Sequence, residues 1–168
     1  ALYGQSAFGL AQITSMSNSE AAEFIKRYHE TFPRIKDYVE STLNQARKQG
    51  YVNTLYGRKR FFPDMHMLSH NERQALEREA INMPIQGGNA DLIKIAMLRI
   101  QHTLTEKHLK TRMILQVHDE LIFEVPVEEL DQARYYVRHL MEGVAKLEVP
   151  IKVEVKVGKS WFEAEPEE

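Results

Sequence analysis

The chain has 168 residues, enough for one domain with a real core or for parts of two. Its 43% hydrophobic and 27% charged content is ordinary for a soluble globular protein. Zero cysteines exclude disulfides and thiolate metal sites, and neither a membrane-spanning apolar run nor a signal-like segment is recognisable. The net charge of −2 conceals an asymmetry. Up to His118 there are 16 Lys+Arg against 11 Asp+Glu, giving +5, and from Asp119 onward 6 against 13, giving −7. Overall charge therefore gives no support for nucleic-acid binding, but leaves room for a local basic surface in the first part.

In chain order, Ser17-Asn18-Ser19-Glu20 reads as a capping box opening a helix to about Phe32. Pro33 suits the start of the next helix and Gly50 its end. Tyr51 to Leu55 and Arg60 to Phe62 read as short strands around Tyr56-Gly57-Arg58-Lys59. Ser69-His70-Asn71-Glu72 is a second capping box, opening a helix to about Asn82. Pro84 is expected to break that helix, with Gly87-Gly88 as a loop. Asn89 then caps a long amphipathic helix to about Leu109, with Leu92, Ile93, Ala96, Ile100 and Leu104 on one face. A hairpin follows, then a helix from Val127 to Leu147 and an alternating strand from Ile151 to Val157. The order predicts an α+β fold: an antiparallel palm-like sheet with packed helices, preceded by a mainly helical segment. A boundary is expected near residues 63 to 70. The apolar stripes, including Val137, Leu140 and Val144, are core packing.

The hairpin is the most informative stretch. Two apolar runs, Met113–Val117 and Leu121–Val125, flank His118-Asp119-Glu120 where Gly, Asn or Pro chemistry is usual. Two carboxylates between buried strands repel each other, and burying either unpaired is costly. A hard divalent cation such as Mg²⁺ would relieve that cost. A solvated acidic turn explains the same three residues, and they alone do not decide.

Four motifs line up with it. They are Leu2-Tyr3-Gly4 through Ala11; Thr54-Leu55-Tyr56-Gly57-Arg58-Lys59-Arg60 through Asp64; Glu77-Arg78 through Asp91, containing Asn82 and Gln86; and Gln116-Val117-His118-Asp119-Glu120. In this order and spacing they resemble the C-terminal part of family A, DNA polymerase I-type DNA polymerases. The closing Gly158-Lys159-Ser160-Trp161-Phe162 resembles that family's end. The resemblance covers nearly the whole chain.

It implies a division into 1–66, part of a fingers subdomain with a basic hairpin near 51–62, and 67–168, part of a palm subdomain. It implies templated, divalent-metal-dependent addition of deoxynucleotides to a primer 3′-OH. Asp119 is then a catalytic metal ligand and Glu120 a catalytic neighbour that tunes the site. His118 becomes a primer-terminus contact, and Tyr3 part of the pocket for the templating base and nascent pair. Arg78, Asn82 and Gln86 become primer–template contacts. Arg78 and Gln86 donate to minor-groove acceptors common to all correct pairs, and Asn82 lies near the template. Gln86 is expected just beyond the helix end, because Pro84 precedes it. Without the resemblance, helix-surface polarity explains these three as well. Arg58 and Arg60 read as phosphate contacts at a basic tip, and Lys59 equally as a solvated turn residue.

The implied cofactor is Mg²⁺, two ions in the complete site, with Mn²⁺ as a substitute. The implied partners are primer–template DNA and a dNTP, with no membrane. Cytoplasmic placement at the bacterial or phage nucleoid follows, with an organellar setting left open. The family's second metal-ligating Asp and its triphosphate-binding Arg and Lys have no match here. An N-terminal remainder of the polymerase is expected to supply them, and the 168 residues alone are expected not to extend a primer. Two rivals remain at this stage: a non-catalytic duplex-binding module using Arg78 and Gln86, and a metal-dependent phosphohydrolase built on Asp119 and Glu120.

Overall fold

The computed structural model describes residues 6–166. Two compact units divide at Gly88/Asn89, and each is treated by itself. No described helix is long and apolar enough to cross a membrane.

The first unit begins with α1 (Ala7–Ile13), capped by the Ser6 hydroxyl, which accepts from the Gly9 amide at 3.1 Å. The expected capping box opens α2 (Asn18–Thr31). The Glu20 carboxylate accepts the Ser17 amide at 2.7 Å, and the Ser17 hydroxyl accepts the Glu20 amide at 3.3 Å. Pro33 opens α3 (Pro33–Gln49) at a position where its missing N–H leaves no helical bond unmade. Gly50 closes it at φ +71°, a left-handed conformation that a Cβ would disfavour. Its carbonyl accepts the Phe62 amide at 2.8 Å and helps close the hairpin of β1 (Tyr51–Asn53) and β2 (Lys59–Phe61).

The main correction concerns the middle of the chain. Pro84 does not end a helix, and Gly87-Gly88 is not a loop. A single helix, α4, runs through 37 residues from His70 to Glu106. Its start is the expected Ser69/Glu72 box. Proline removes one amide donor and disfavours a helix interior, yet packing wins here. Ala80, Ile81 and Met83 are buried, and Ala80 and Met83 share a core with Ala46, Val52, Phe62 and Met65. The Tyr38 hydroxyl donates to the Ile81 carbonyl at 2.7 Å, giving the helix beside Pro84 a partner from α3. A Cβ on Gly87 would stand 2.7 Å from the Thr54 methyl, so the helix continues there as glycine in order to approach the hairpin turn.

The second unit packs the Asn89–Glu106 part of α4 against β3 (Arg112–Val117), β4 (Glu120–Glu124) and α5 (Leu130–Glu142). Its core holds Ala96, Ile100, Leu104 and Val144, with Leu92, Val137 and Leu140 against them, as the stripes predicted. The helix expected to reach Leu147 stops at Glu142. Arg99 explains part of this, since its guanidinium donates to the Gly143 and Val144 carbonyls at 3.1 and 3.0 Å. The expected strand over 151–157 keeps its in-out alternation, but only β5 (Lys156–Val157) is laddered, to β6 (Glu165–Pro166). The fold is α+β with antiparallel pairing, as expected. The described pairing is shared among three two-stranded ladders.

Candidate nucleic-acid interface and acidic hairpin

Continuity of α4 changes the geometry of three predicted residues. Arg78, Asn82 and Gln86 stand at i, i+4 and i+8 of one unbroken helix and so share a face. The expectation that Gln86 lies past the helix end is overturned for the same reason as the break itself. With Ala75 and Glu79, the three residues line an open groove of about 480 Å³. Arg78 and Gln86 are exposed and Asn82 is half-buried. The helix turns this polar face outward because Ala80 and Met83 pack into the core of the first unit. The Arg47–Glu77 ion pair at 2.6 Å and the Tyr38–Ile81 bond tie the same stretch to α3. The face therefore presents two amides and a guanidinium, all hydrogen-bond donors, on a fixed support.

The basic turn is organised by Thr54, which is buried at 1% exposure. Its hydroxyl accepts the Tyr56 and Arg58 amides at 3.3 and 3.2 Å, and its amide donates to the Arg58 carbonyl at 3.0 Å. Lys59 and Arg60 beyond it both face internal partners. The Lys59 ammonium lies 4.1 Å from the centre of the Tyr51 ring. The Arg60 guanidinium pairs with Glu79 and lies 5.4 Å from the centre of the Phe62 ring. Sequence reading missed Glu79 because nothing local signals a partner 19 residues away.

The acidic hairpin forms in the expected place. Val117 pairs with Glu120, leaving His118 and Asp119 as a two-residue turn, with Glu120 the first residue of β4. His118 sits at φ +54°, a position glycine or asparagine would occupy more comfortably. The Gln116 amide donates to the His118 carbonyl at 3.2 Å. A bulge at Ile114 shifts the register between Met113 and Leu115. It interrupts the strict alternation and leaves Ile114, Leu115 and Gln116 exposed.

One premise of the sequence reading fails here. His118, Asp119 and Glu120 are all exposed, so burial does not force a cation onto them. Among the described residues no group of three or more His, Asp or Glu side chains could hold a metal. The donors still suit a hard divalent ion, because Mg²⁺ commonly takes one or two carboxylates and completes its shell with water and phosphate oxygens. Asp119 and Glu120 fit as part of such a site. Tyr3 lies outside the described residues.

The foot of this hairpin holds a feature absent from the sequence reading. Glu129, just before α5, accepts the Lys110 and Thr111 amides at 2.8 Å each and the Thr111 hydroxyl at 2.7 Å. These bonds, the Lys110 amide first, hold its carboxyl below the ordinary range against a smaller opposing desolvation. They fix the loop that enters β3. Acidic residues before a helix are too common for sequence alone to reveal this one.

The sequence profile described as DNA polymerase family A matches residues 1–163. The chain belongs to DNA polymerase family A. Among family A relatives, DNA polymerase I of Caldicellulosiruptor bescii is 46% identical over 162 residues, 96% of this chain and 19% of that protein. The thermostable DNA polymerase I of Thermus filiformis is 45% identical over 163 residues, 97% of this chain and 19% of that protein. Among solved structures, the POL domain of Pol1 from M. smegmatis, in complex with DNA primer–template and dNTP, superposes with a TM-score of 0.92 at 41% identity. That match covers 97% of this chain and 29% of that one. The chain thus spans about a fifth of the length of these curated family A relatives.

Proposed function

We propose that this segment is the part of a DNA-directed DNA polymerase that checks the primer–template duplex and supplies one side of the metal site. The groove on α4 carries the reading. Arg78 and Gln86 can donate to the minor-groove N3 and O2 acceptors that every correct pair presents, and Asn82 stands between them on the same face. Such donors test duplex shape without reading sequence, which suits a templated enzyme. Arg58 is the phosphate-seeking cation of the basic turn, Arg60 has the charge for the same contact only once released from Glu79, and Tyr3 belongs to the pocket for the templating base.

Family A polymerases generally use divalent metal ions. In this reading Asp119 is a ligand to Mg²⁺, for which Mn²⁺ substitutes, and Glu120 tunes the site beside it. The ions supply charge stabilisation at the attacking and leaving oxygens. The second Asp and the triphosphate-binding residues come from a part of the polymerase outside these 168 residues. Residues 1–66 belong to the fingers and 67–168 to the palm. The setting is the bacterial or phage nucleoid in the cytoplasm.

The test is single-turnover extension by the full-length protein that carries this segment, comparing wild type with Gln86→Ala on matched and mismatched primer ends. A donor lost from a buried pair costs about 1–3 kcal/mol. Matched extension should slow by that amount across template sequences, while mismatched extension, whose acceptors are already displaced, changes little. Equal slowing on both ends, or none on either, would reduce Gln86 to helix-surface polarity.

A further inference from the structure

Of the three arginines of the first unit assigned to nucleic acid, Arg78 and Arg60 differ in how they are held. Among the described residues no carboxylate is paired with Arg78 on the groove face. Arg60 is held twice, by the Glu79 carboxylate and against the ring of Phe62. Phe62 is only 8% exposed, so its ring is a fixed support. Glu79 is the acidic side chain among the groove-lining residues. It therefore belongs to the face that would meet DNA while neutralising a cation that would otherwise seek phosphate.

Binding to a polyanion gains free energy chiefly where a free cation displaces condensed counterions. A guanidinium already paired with a carboxylate releases fewer of them, because it must first give up an anion of its own. Both partners are about half exposed, at 51% and 46%. The pair is therefore weak enough to be altered by one substitution without disturbing the core. Replacing the carboxylate by its amide keeps size and removes the charge.

We propose that Glu79 sets the affinity of the duplex-binding face by withholding Arg60 from the phosphate backbone. The inference rests on reading the α4 face as a duplex-binding surface. The wild-type protein then grips primer–template more loosely, and with a shallower salt dependence, than its basic residues would give if unpaired. Glu79 touches no reacting atom, and its role is to position Arg60.

The experiment measures binding of a labelled primer–template duplex by the full-length protein across a range of KCl. The variants are Glu79→Gln, Arg60→Ala/Glu79→Gln, Arg78→Ala and Gln86→Ala. Glu79→Gln should tighten binding about 3- to 10-fold at low salt. It should also steepen the slope of log affinity against log salt by about 0.9, the increment for one further neutralised phosphate. The double variant should return to within about 2-fold of wild type, with the wild-type slope. Double-variant binding as tight as Glu79→Gln would show that Glu79 merely repels DNA, overturning the proposal. A double variant weaker than wild type would show that Arg60 already contacts phosphate, and would overturn it too. No effect of Glu79→Gln while Arg78→Ala weakens binding would overturn this inference alone. Arg78→Ala and Gln86→Ala both without effect on the duplex would remove the groove reading and this inference together.

Discussion

The chain builds two antiparallel hairpins with opposite charge at their tips, and they are held in opposite ways. The basic hairpin of β1 and β2 is tied inward. Thr54 is buried beneath its turn, Lys59 lies on Tyr51, and Arg60 is paired with Glu79. In the acidic hairpin of β3 and β4 the described bonds of charged side chains lie at the foot, in the Glu129 bonds and the Arg112–Glu124 pair at 2.5 Å. At its tip His118, Asp119 and Glu120 are exposed, and no described ion pair engages them. A charged tip whose partners are internal is already satisfied in the free protein. A charged tip without them keeps its full interaction capacity for something that arrives, and a metal ion with substrate phosphates is the kind of arrival two carboxylates suit.

The largest expected effect tests the open tip. In the full-length protein Asp119→Asn should lower primer extension by orders of magnitude, since metal stabilisation of a developing charge is worth several kcal/mol. Glu120→Gln should be milder, and duplex affinity should move little in either. Near wild-type turnover from Asp119→Asn would erase the distinction drawn between the two hairpins.

Next in size is a test of the inward-tied hairpin. Gly87→Ala puts a Cβ against the Thr54 methyl, where only 2.7 Å is available. Overpacking of this kind costs about 1–3 kcal/mol, against about 1 kcal/mol gained by alanine over glycine in a helix. We expect a net loss in denaturant stability, recovered when Thr54→Ser removes the methyl but keeps the hydroxyl. Failure of the second substitution to recover stability would place the contact elsewhere.

The smallest effect concerns the foot of the acidic hairpin. Glu129 has its carboxyl held below the ordinary value of 4.5, so its contribution is present above that value and is lost as pH falls through the lower folded one. Protection of the Lys110 and Thr111 amides from hydrogen exchange should fall in that acid window. Glu129→Gln should flatten the dependence. An unchanged pH profile in that variant would mean that the foot is held by something other than this carboxylate.

What was legible in the sequence was local. The Ser17/Glu20 and Ser69/Glu72 boxes, Pro33 and Gly50 specify their own helix ends within four residues, and each stands where it was expected. The 3.6-residue stripe from Leu92 to Leu104 and the acidic turn were legible for the same reason. Pro84 and Gly87-Gly88 misled because their local preferences yield to Tyr38 and Thr54, which lie far away along the chain. The exposure of Asp119 was misjudged because apolar runs on either side of a turn do not fix the burial of the turn itself, and β3 is exposed over Ile114, Leu115 and Gln116 as well. Arg78, Asn82 and Gln86 were expected on a broken backbone, and the unbroken helix gives them a common face. Glu79 and Glu129 act across long sequence separations, which no short-range pattern encodes.

His118 carries one more consequence. Its φ of +54° follows a strand and precedes Asp119, which does not share the positive value, the sign pattern of a two-residue turn that usually begins with glycine. A side chain in that conformation costs about 1–2 kcal/mol relative to glycine. A sequence optimised only for folding would discard the imidazole here. The chain instead keeps a less comfortable residue at the vertex, directly beside the carboxylate. Thermostabilisation of this segment by consensus-like turn residues would therefore improve the hairpin as an object while removing the imidazole that stands beside Asp119.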